Sequence, residues 1–280
     1  CGGARSAAPA ATPDRSARPA ETPAPGDQTL TLDWAGVERT FEVHAPPSYR
    51  PGKPLPLVVV LHHRGGTPAV MREMTRVDAK ADAEGFLVAY PVGLQGAMNA
   101  MVCCGGNDDV GFVRSMVEHL TRVWGVDPAR VYATGISNGA DMTYRLAVDV
   151  PGMFAAIAPV SGGFIGSKAK DPAFRPARPV SVVSFIGSND RQADLLEWGL
   201  LDWHRKANCV AGPQAWADPG KTITRTVAPC ADGTEVVGYS VLGMGHAWPG
   251  GAAVSLGDPE ANINAVDVMW AFFSKHASGS

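Results

Sequence analysis

The chain has 280 residues, of which 45% are hydrophobic and 18% charged, and its formal net charge is −3. That composition supports a packed core and excludes global disorder. The slight acidic balance excludes a nucleic-acid binder, which needs a basic surplus or stripe, and no apolar run reaches the roughly 18 residues of a membrane-spanning helix.

In chain order, the sequence opens on Cys1-Gly2-Gly3 with no initiator Met. That start resembles a mature bacterial lipoprotein. Cys1 is therefore a candidate lipid anchor, which would hold the protein on a membrane without crossing it. Residues 1–27 are mostly Ala, Pro, Ser, Thr and Gly without an apolar period, and read as a disordered tether. Residues 28–280 read as one domain. Thr29–Leu32 and Thr40–Val43 alternate polar and apolar residues on either side of Gly36, the pattern of a hairpin. Leu57–Leu61 is a continuous Val-rich run, as in a strand buried on both faces. Helical spacing follows at Val70–Glu84, a strand at Gly85–Tyr90 and a helix at Val110–Trp124. Arg130–Thr134 reads as a strand and Asn138–Val148 as a helix. Phe154–Val160, Val180–Ile186 and Glu235–Leu242 read as strands, and Ile263–His276 as a closing amphipathic helix. Strands alternating with helices imply a mostly parallel, doubly wound α/β sheet with helices on both faces. There is no internal repeat and no room for a large cap domain.

Beyond Cys1, the cysteines are Cys103, Cys104, Cys209 and Cys230. An even number in an exported chain predicts disulfides, and four cysteines allow three pairings. Cys209 and Cys230 flank a loop-like segment containing Pro213, Pro219 and Gly220, and are the favoured pair. Cys103 and Cys104 then form a vicinal bridge or stay as thiols. No His or second Cys pair sits at zinc-site spacing, so no metal is expected.

The chemistry centres on Gly135-Ile136-Ser137-Asn138-Gly139, which lies between a β-rich and a helical stretch. A tight strand-to-helix turn leaves no space for side chains two before and two after the serine, hence the glycines, and it holds Ser137 Oγ clear of the backbone. A serine hydroxyl is a weak nucleophile and needs a base with an orienting acid. In this arrangement the chain order is Ser, acid, His. Among His204, His246 and His276, His246 is the candidate base, because it sits in a Gly-rich loop directly after a strand. Asp190 follows the Val180–Ile186 strand and is the candidate acid, ahead of Asp194 and Glu197, which look helical. An N-cap is the alternative role for Asp190. Two backbone N–H groups should hold the developing oxyanion: that of Asn138, and one from the loop after Leu61, with Arg64 preferred and His63 next.

These motifs resemble the poly(3-hydroxybutyrate) depolymerase and feruloyl/acetylxylan esterase family of secreted α/β hydrolases. The matching segments are Leu57–Gly66, Gly85–Leu94, Asn99–Phe112, Arg130–Asp141, Ile186–Asp190 and Gly243–Gly250. The resemblance implies an α/β-hydrolase fold, a Ser137–Asp190–His246 triad and an oxyanion N–H at Arg64. Two positions depart from the family: His63 stands where Gly is usual, and Met98 where Trp is usual. His63, Met98, Met244 and Trp248 are candidate substrate-binding residues, with core packing the alternative for the last three. The function so implied is serine-dependent hydrolysis of carboxylic esters, of polyester oligomers or of feruloyl and acetyl groups. It needs no cofactor, and the enzyme is expected to be a secreted monomer. A peptidase or amidase of the same fold and a non-catalytic binding protein are the competing readings.

Overall fold

The computed structural model describes residues 21–178 and 180–278, so Cys1 and the proposed tether up to residue 20 lie outside the described residues. Strands β1 (Gly26–Trp34) and β2 (Val37–Ala45) form the hairpin, turning at Ala35 and Gly36, both with positive φ. Strand β1 thus starts two residues before the Gln28 boundary read from the sequence. Glu21 also reaches the body of the protein: its carboxylate accepts from the Trp124 indole N–H and lies 2.8 Å from His119 Nε2. Glu21 thus reaches the buried Trp124 and the part-buried His119.

The remaining strands are β3 (Leu55–Leu61), β4 (Leu87–Pro91), β5 (Val126–Ile136), β6 (Ala156–Val160), β7 (Ser181–Gly187), β8 (Ala215–Trp216), β9 (Ile223–Pro229) and β10 (Glu235–Val241). They join in the order β1-β2-β4-β3-β5-β6-β7-β10-β9-β8. The six from β4 to β10 in that order run parallel. The hairpin adds antiparallel strands at one edge, and β9 and β8 do so at the other. A further two-residue pair, β11 (Trp248–Pro249) and β12 (Gly257–Asp258), lies outside the main sheet.

All seven residues of β3 are buried, because its side chains alternate between two cores. Leu57, Val59 and Leu61 pack with Phe112, Met116 and Leu120 of α3 (Asp109–Trp124) and Met142 of α4 (Asn138–Asp149). Val58 and Val60 pack on the other face with Met71 and Met74 of α1 (Pro68–Thr75) and Met269 and Phe273 of α6 (Ala265–Phe273). The helix predicted over Val70–Glu84 is two helices. Arg76 adopts φ 54°, ending α1 and starting α2 (Val77–Glu84). Helix α5 (Ala193–Lys206) connects β7 to the β8–β10 edge. Cys209 is bonded to Cys230 and Cys103 to Cys104, which resolves the pairing in favour of the vicinal bridge.

Candidate active site

Ser137 sits at the junction of β5 and α4 with φ 58° and ψ −121°. This is a costly conformation for a residue with a side chain, and it persists only where the surroundings enforce it. The enforcement is visible in the flanking glycines. A Cβ on Gly135 would lie 2.7 Å from both the Gly139 carbonyl carbon and Leu61 O, and one on Gly139 only 2.2 Å from Leu61 O. The turn therefore closes backbone to backbone against the end of β3. The Ser137 N–H donates to Val160 O at 3.0 Å, tying the turn to β6.

Asp190 follows β7 and is almost fully buried, while His246 follows β10 and keeps about a third of its side-chain surface exposed. His246 Nδ1 donates to Asp190 Oδ2 at 2.7 Å, which leaves Nε2 as the lone-pair nitrogen. Asp190 Oδ1 also accepts from the Gln192 N–H at 2.9 Å, so the same carboxylate serves the start of α5. The two loops touch through backbone: the Asn189 N–H donates to Met244 O at 2.9 Å, and a Cβ on Gly187 would lie 2.3 Å from that same oxygen. Gly187 is glycine because the acid and histidine loops approach so closely.

The N–H groups of Asn138 and Arg64 have no hydrogen-bond partner among the described residues, as an oxyanion site requires of its donors. The loop carrying Arg64 is shaped by His62, which the sequence did not single out. His62 is buried; its Nδ1 donates to His63 O at 2.7 Å and its Nε2 accepts from the Gly93 N–H at 2.9 Å. Burial holds its pKa below the ordinary histidine value, favouring the neutral ring that this pairing needs. Gly65 N–H donates to Gly96 O at 2.7 Å, a second tie to the loop after β4. The Asn138 side chain is buried as well. Its Oδ1 accepts from the Met98 N–H at 2.8 Å and its Nδ2 donates to Met98 O at 3.0 Å, so the amide grips the neighbouring wall as a strand would.

Three of the candidate substrate residues are buried. Met98 is 0%, Trp248 1% and Met244 2% exposed, each packed in a hydrophobic cluster. The Asn138 clamp draws Met98 into the core, and Trp248 is held down by its N–H to Leu256 O at 2.7 Å. His63 is half-buried, with Nδ1 donating to Arg64 O at 2.9 Å and Nε2 accepting from Ser255 Oγ at 3.0 Å. Both ring nitrogens are thus engaged by the protein. His204 lies in α5, buried, with neither ring nitrogen bonded among the described residues, away from the Asp190–His246 pair. The described residues bring Asp27, His44 and Asp78 within metal-ligand distance of one another. The cationic position there is taken by Arg72, which pairs with Asp27 at 2.8 Å and also with Asp78.

The chain is similar in sequence and fold to known esterases. The family described as Esterase PHB depolymerase matches residues 40–174. The chain is 32% identical to "Putative esterase NocK" of Nocardia uniformis subsp. tsuyamanensis over 90% of its own length and 86% of that protein's. It is 28% identical to the bifunctional acetylxylan esterase/xylanase XynS20E of Neocallimastix patriciarum over 75% of its length, spanning 31% of that longer protein. Among solved structures, acetyl xylan esterase from Aspergillus awamori superposes with a TM-score of 0.63 at 17% identity, covering 88% of this chain and 99% of that one, a likeness of fold. The fold is that of the α/β-hydrolase esterases, and by its extended similarity to these relatives the chain belongs to the esterase PHB depolymerase family and is a carboxylic ester hydrolase.

Proposed function

We propose that Ser137, His246 and Asp190 carry out this hydrolysis through an acyl-enzyme. His246 Nε2 takes the Ser137 hydroxyl proton as Oγ attacks the ester carbonyl. Asp190 holds the imidazole in the right tautomer and stabilises the imidazolium. The N–H groups of Asn138 and Arg64 receive the oxyanion. The alcohol departs with the proton from His246, and water activated by the same nitrogen then releases the acid. The single observation that carries this assignment is the 2.7 Å bond between His246 and buried Asp190, two loops from a serine held in a strained elbow. Substitution of Ser137 by Ala tests it. Turnover of p-nitrophenyl acetate should fall by about 10³-fold or more while the thermal midpoint holds, and a fluorophosphonate should label Ser137 alone. Near-wild-type turnover in that variant would refute the assignment.

For the substrates, we propose acetyl, feruloyl or 3-hydroxyalkanoate esters, the groups for which relatives are named. Acetylated xylan, methyl ferulate, polyester film and a p-nitroanilide assayed together separate these classes and test amidase activity. Two disulfides suit export to an oxidising compartment.

A further inference from the structure

Ser161 is fully buried, at 0% exposure, and takes φ 45° immediately after β6. Its hydroxyl does two things at once: it accepts from the Ala247 N–H at 3.2 Å and donates to Ala247 O at 2.9 Å. Ala247 is the residue directly after His246. Ser161's own N–H donates to Phe185 O on β7 at 2.9 Å, and the preceding residue, Val160, accepts the N–H of Ser137 at 3.0 Å. One dipeptide, Val160-Ser161, therefore joins the nucleophile turn, the strand that carries the acid, and the histidine loop.

The platform on which Ser161 stands cannot give way. A Cβ on Gly162 would lie 2.5 Å from Ala140 Cβ and 2.7 Å from Ser137 O, so this segment lies directly on the elbow. Gly163 N–H is fixed to Asp141 Oδ1 at 2.9 Å. The histidine loop has ties on either side of His246, among them Gly243 N–H to Ser188 Oγ at 2.8 Å and Asn189 Nδ2 to Gly243 O at 3.2 Å. Upstream, the Asn189 N–H bonds to Met244 O; downstream, Trp248 N–H bonds to Leu256 O. Between them the imidazole is braced by Asp190 at Nδ1 and the backbone beside it by Ser161.

We infer that Ser161 is a positioning residue that sets the distance between His246 and Ser137 by clamping both polar groups of Ala247. This rests on Ser137 and His246 being nucleophile and base. Asp190 fixes the direction of the ring, but a ring can pivot about a fixed Nδ1. A second restraint on the backbone one residue away limits where Nε2 can swing. Loss of that restraint permits displacement of the base, and a misplacement of about 1 Å can cost on the order of 10²-fold in rate.

The test compares Ser161→Gly and Ser161→Ala with wild type and Ser137→Ala, using p-nitrophenyl acetate, thermal melting and the downfield Nδ1–H proton resonance of His246. Both Ser161 variants lack the hydroxyl, but they differ in backbone strain, since glycine adopts positive φ freely and alanine does not. Stability should therefore separate the two while activity should not. Both are expected to lose about 10- to 100-fold in kcat with KM nearly unchanged, and to shift or broaden the Nδ1–H resonance, even where Ser161→Gly melts like wild type. A folded Ser161→Gly with wild-type kcat and an unmoved resonance would overturn the inference. So would a kcat that followed the melting temperature from one variant to the other. Ser137→Ala keeps the two ideas apart: if that variant stays active, the triad assignment has failed, whereas if it is dead and Ser161→Gly is not, only the positioning role has failed.

Discussion

Replacing Gly139 by Ala probes the closeness of approach that builds the elbow. Two effects oppose each other. Alanine is the better helix former by about 1 kcal/mol, and Gly139 lies in the first turn of α4. Against this, its Cβ would meet Leu61 O at 2.2 Å, Leu61 C at 2.7 Å and His62 O at 2.8 Å. All three are backbone atoms and cannot rotate away. Ordinary van der Waals contact begins at 3.4 Å, so the start of α4 must retreat from β3 by roughly 1 Å, and overpacking of this kind costs about 1–3 kcal/mol. The steric cost wins by about 1 kcal/mol, and a fall in thermal midpoint of roughly 3 °C is expected. The larger effect falls on activity. The atoms in collision lead straight into the loop that carries Arg64, so the retreat pulls the Asn138 N–H and Ser137 away from the Arg64 N–H, the second donor of the proposed oxyanion site. A shift of about 1 Å should lower kcat on the order of 10²-fold, more than the loss of stability would suggest. Stopped-time hydrolysis of p-nitrophenyl acetate, with melting on the same sample, measures both. A folded Gly139→Ala enzyme with wild-type kcat would refute the claim that this contact sets the catalytic geometry.

Other predictions follow from single contacts. Replacing Cys209 and Cys230 together by Ser opens a loop of sequence separation 21, and denaturant unfolding should register a loss of about 3 kcal/mol; an unchanged midpoint would contradict this. Burial raises the Asp141 carboxyl to about 7, against a bond from the Gly163 N–H that pulls the other way. The folded state therefore holds a proton that the unfolded chain releases near its ordinary value of 3.8. Stability contributed at this site is present at low pH and is lost as pH rises from about 4 to about 7. Asp141→Asn should thus gain in melting temperature relative to wild type across that window and level off above it, and a difference independent of pH would count against the burial.

Much of the candidate site was legible from local pattern. The Gly-x-Ser-x-Gly run fixes a turn within five residues, and its steric demand is local, so the sequence carries it in full. The order of Asp190 and His246 at the ends of apolar, Val-rich runs was likewise legible, since a parallel strand buried on both faces announces itself by composition. The break at Arg76 was not, because helical spacing continues across the residue that takes φ 54° and separates α1 from α2. Strand β9 escaped as well: Ile223–Pro229 becomes a strand by pairing with β10, a partner several residues farther on whose own position depends on β7. Met98, Met244 and Trp248 looked like a cleft because they neighbour the motifs in sequence, yet each is drawn inward by contacts made through space. The sequence by itself determined which residues are candidates for the chemistry, for that depends on side-chain type and on steric rules spanning a few residues. Only the tertiary structure decided what surrounds them, such as the Asn138 grip on Met98 and the Ser161 clamp on Ala247, 86 residues apart, because hydrogen bonds between distant segments leave no periodic trace along the chain.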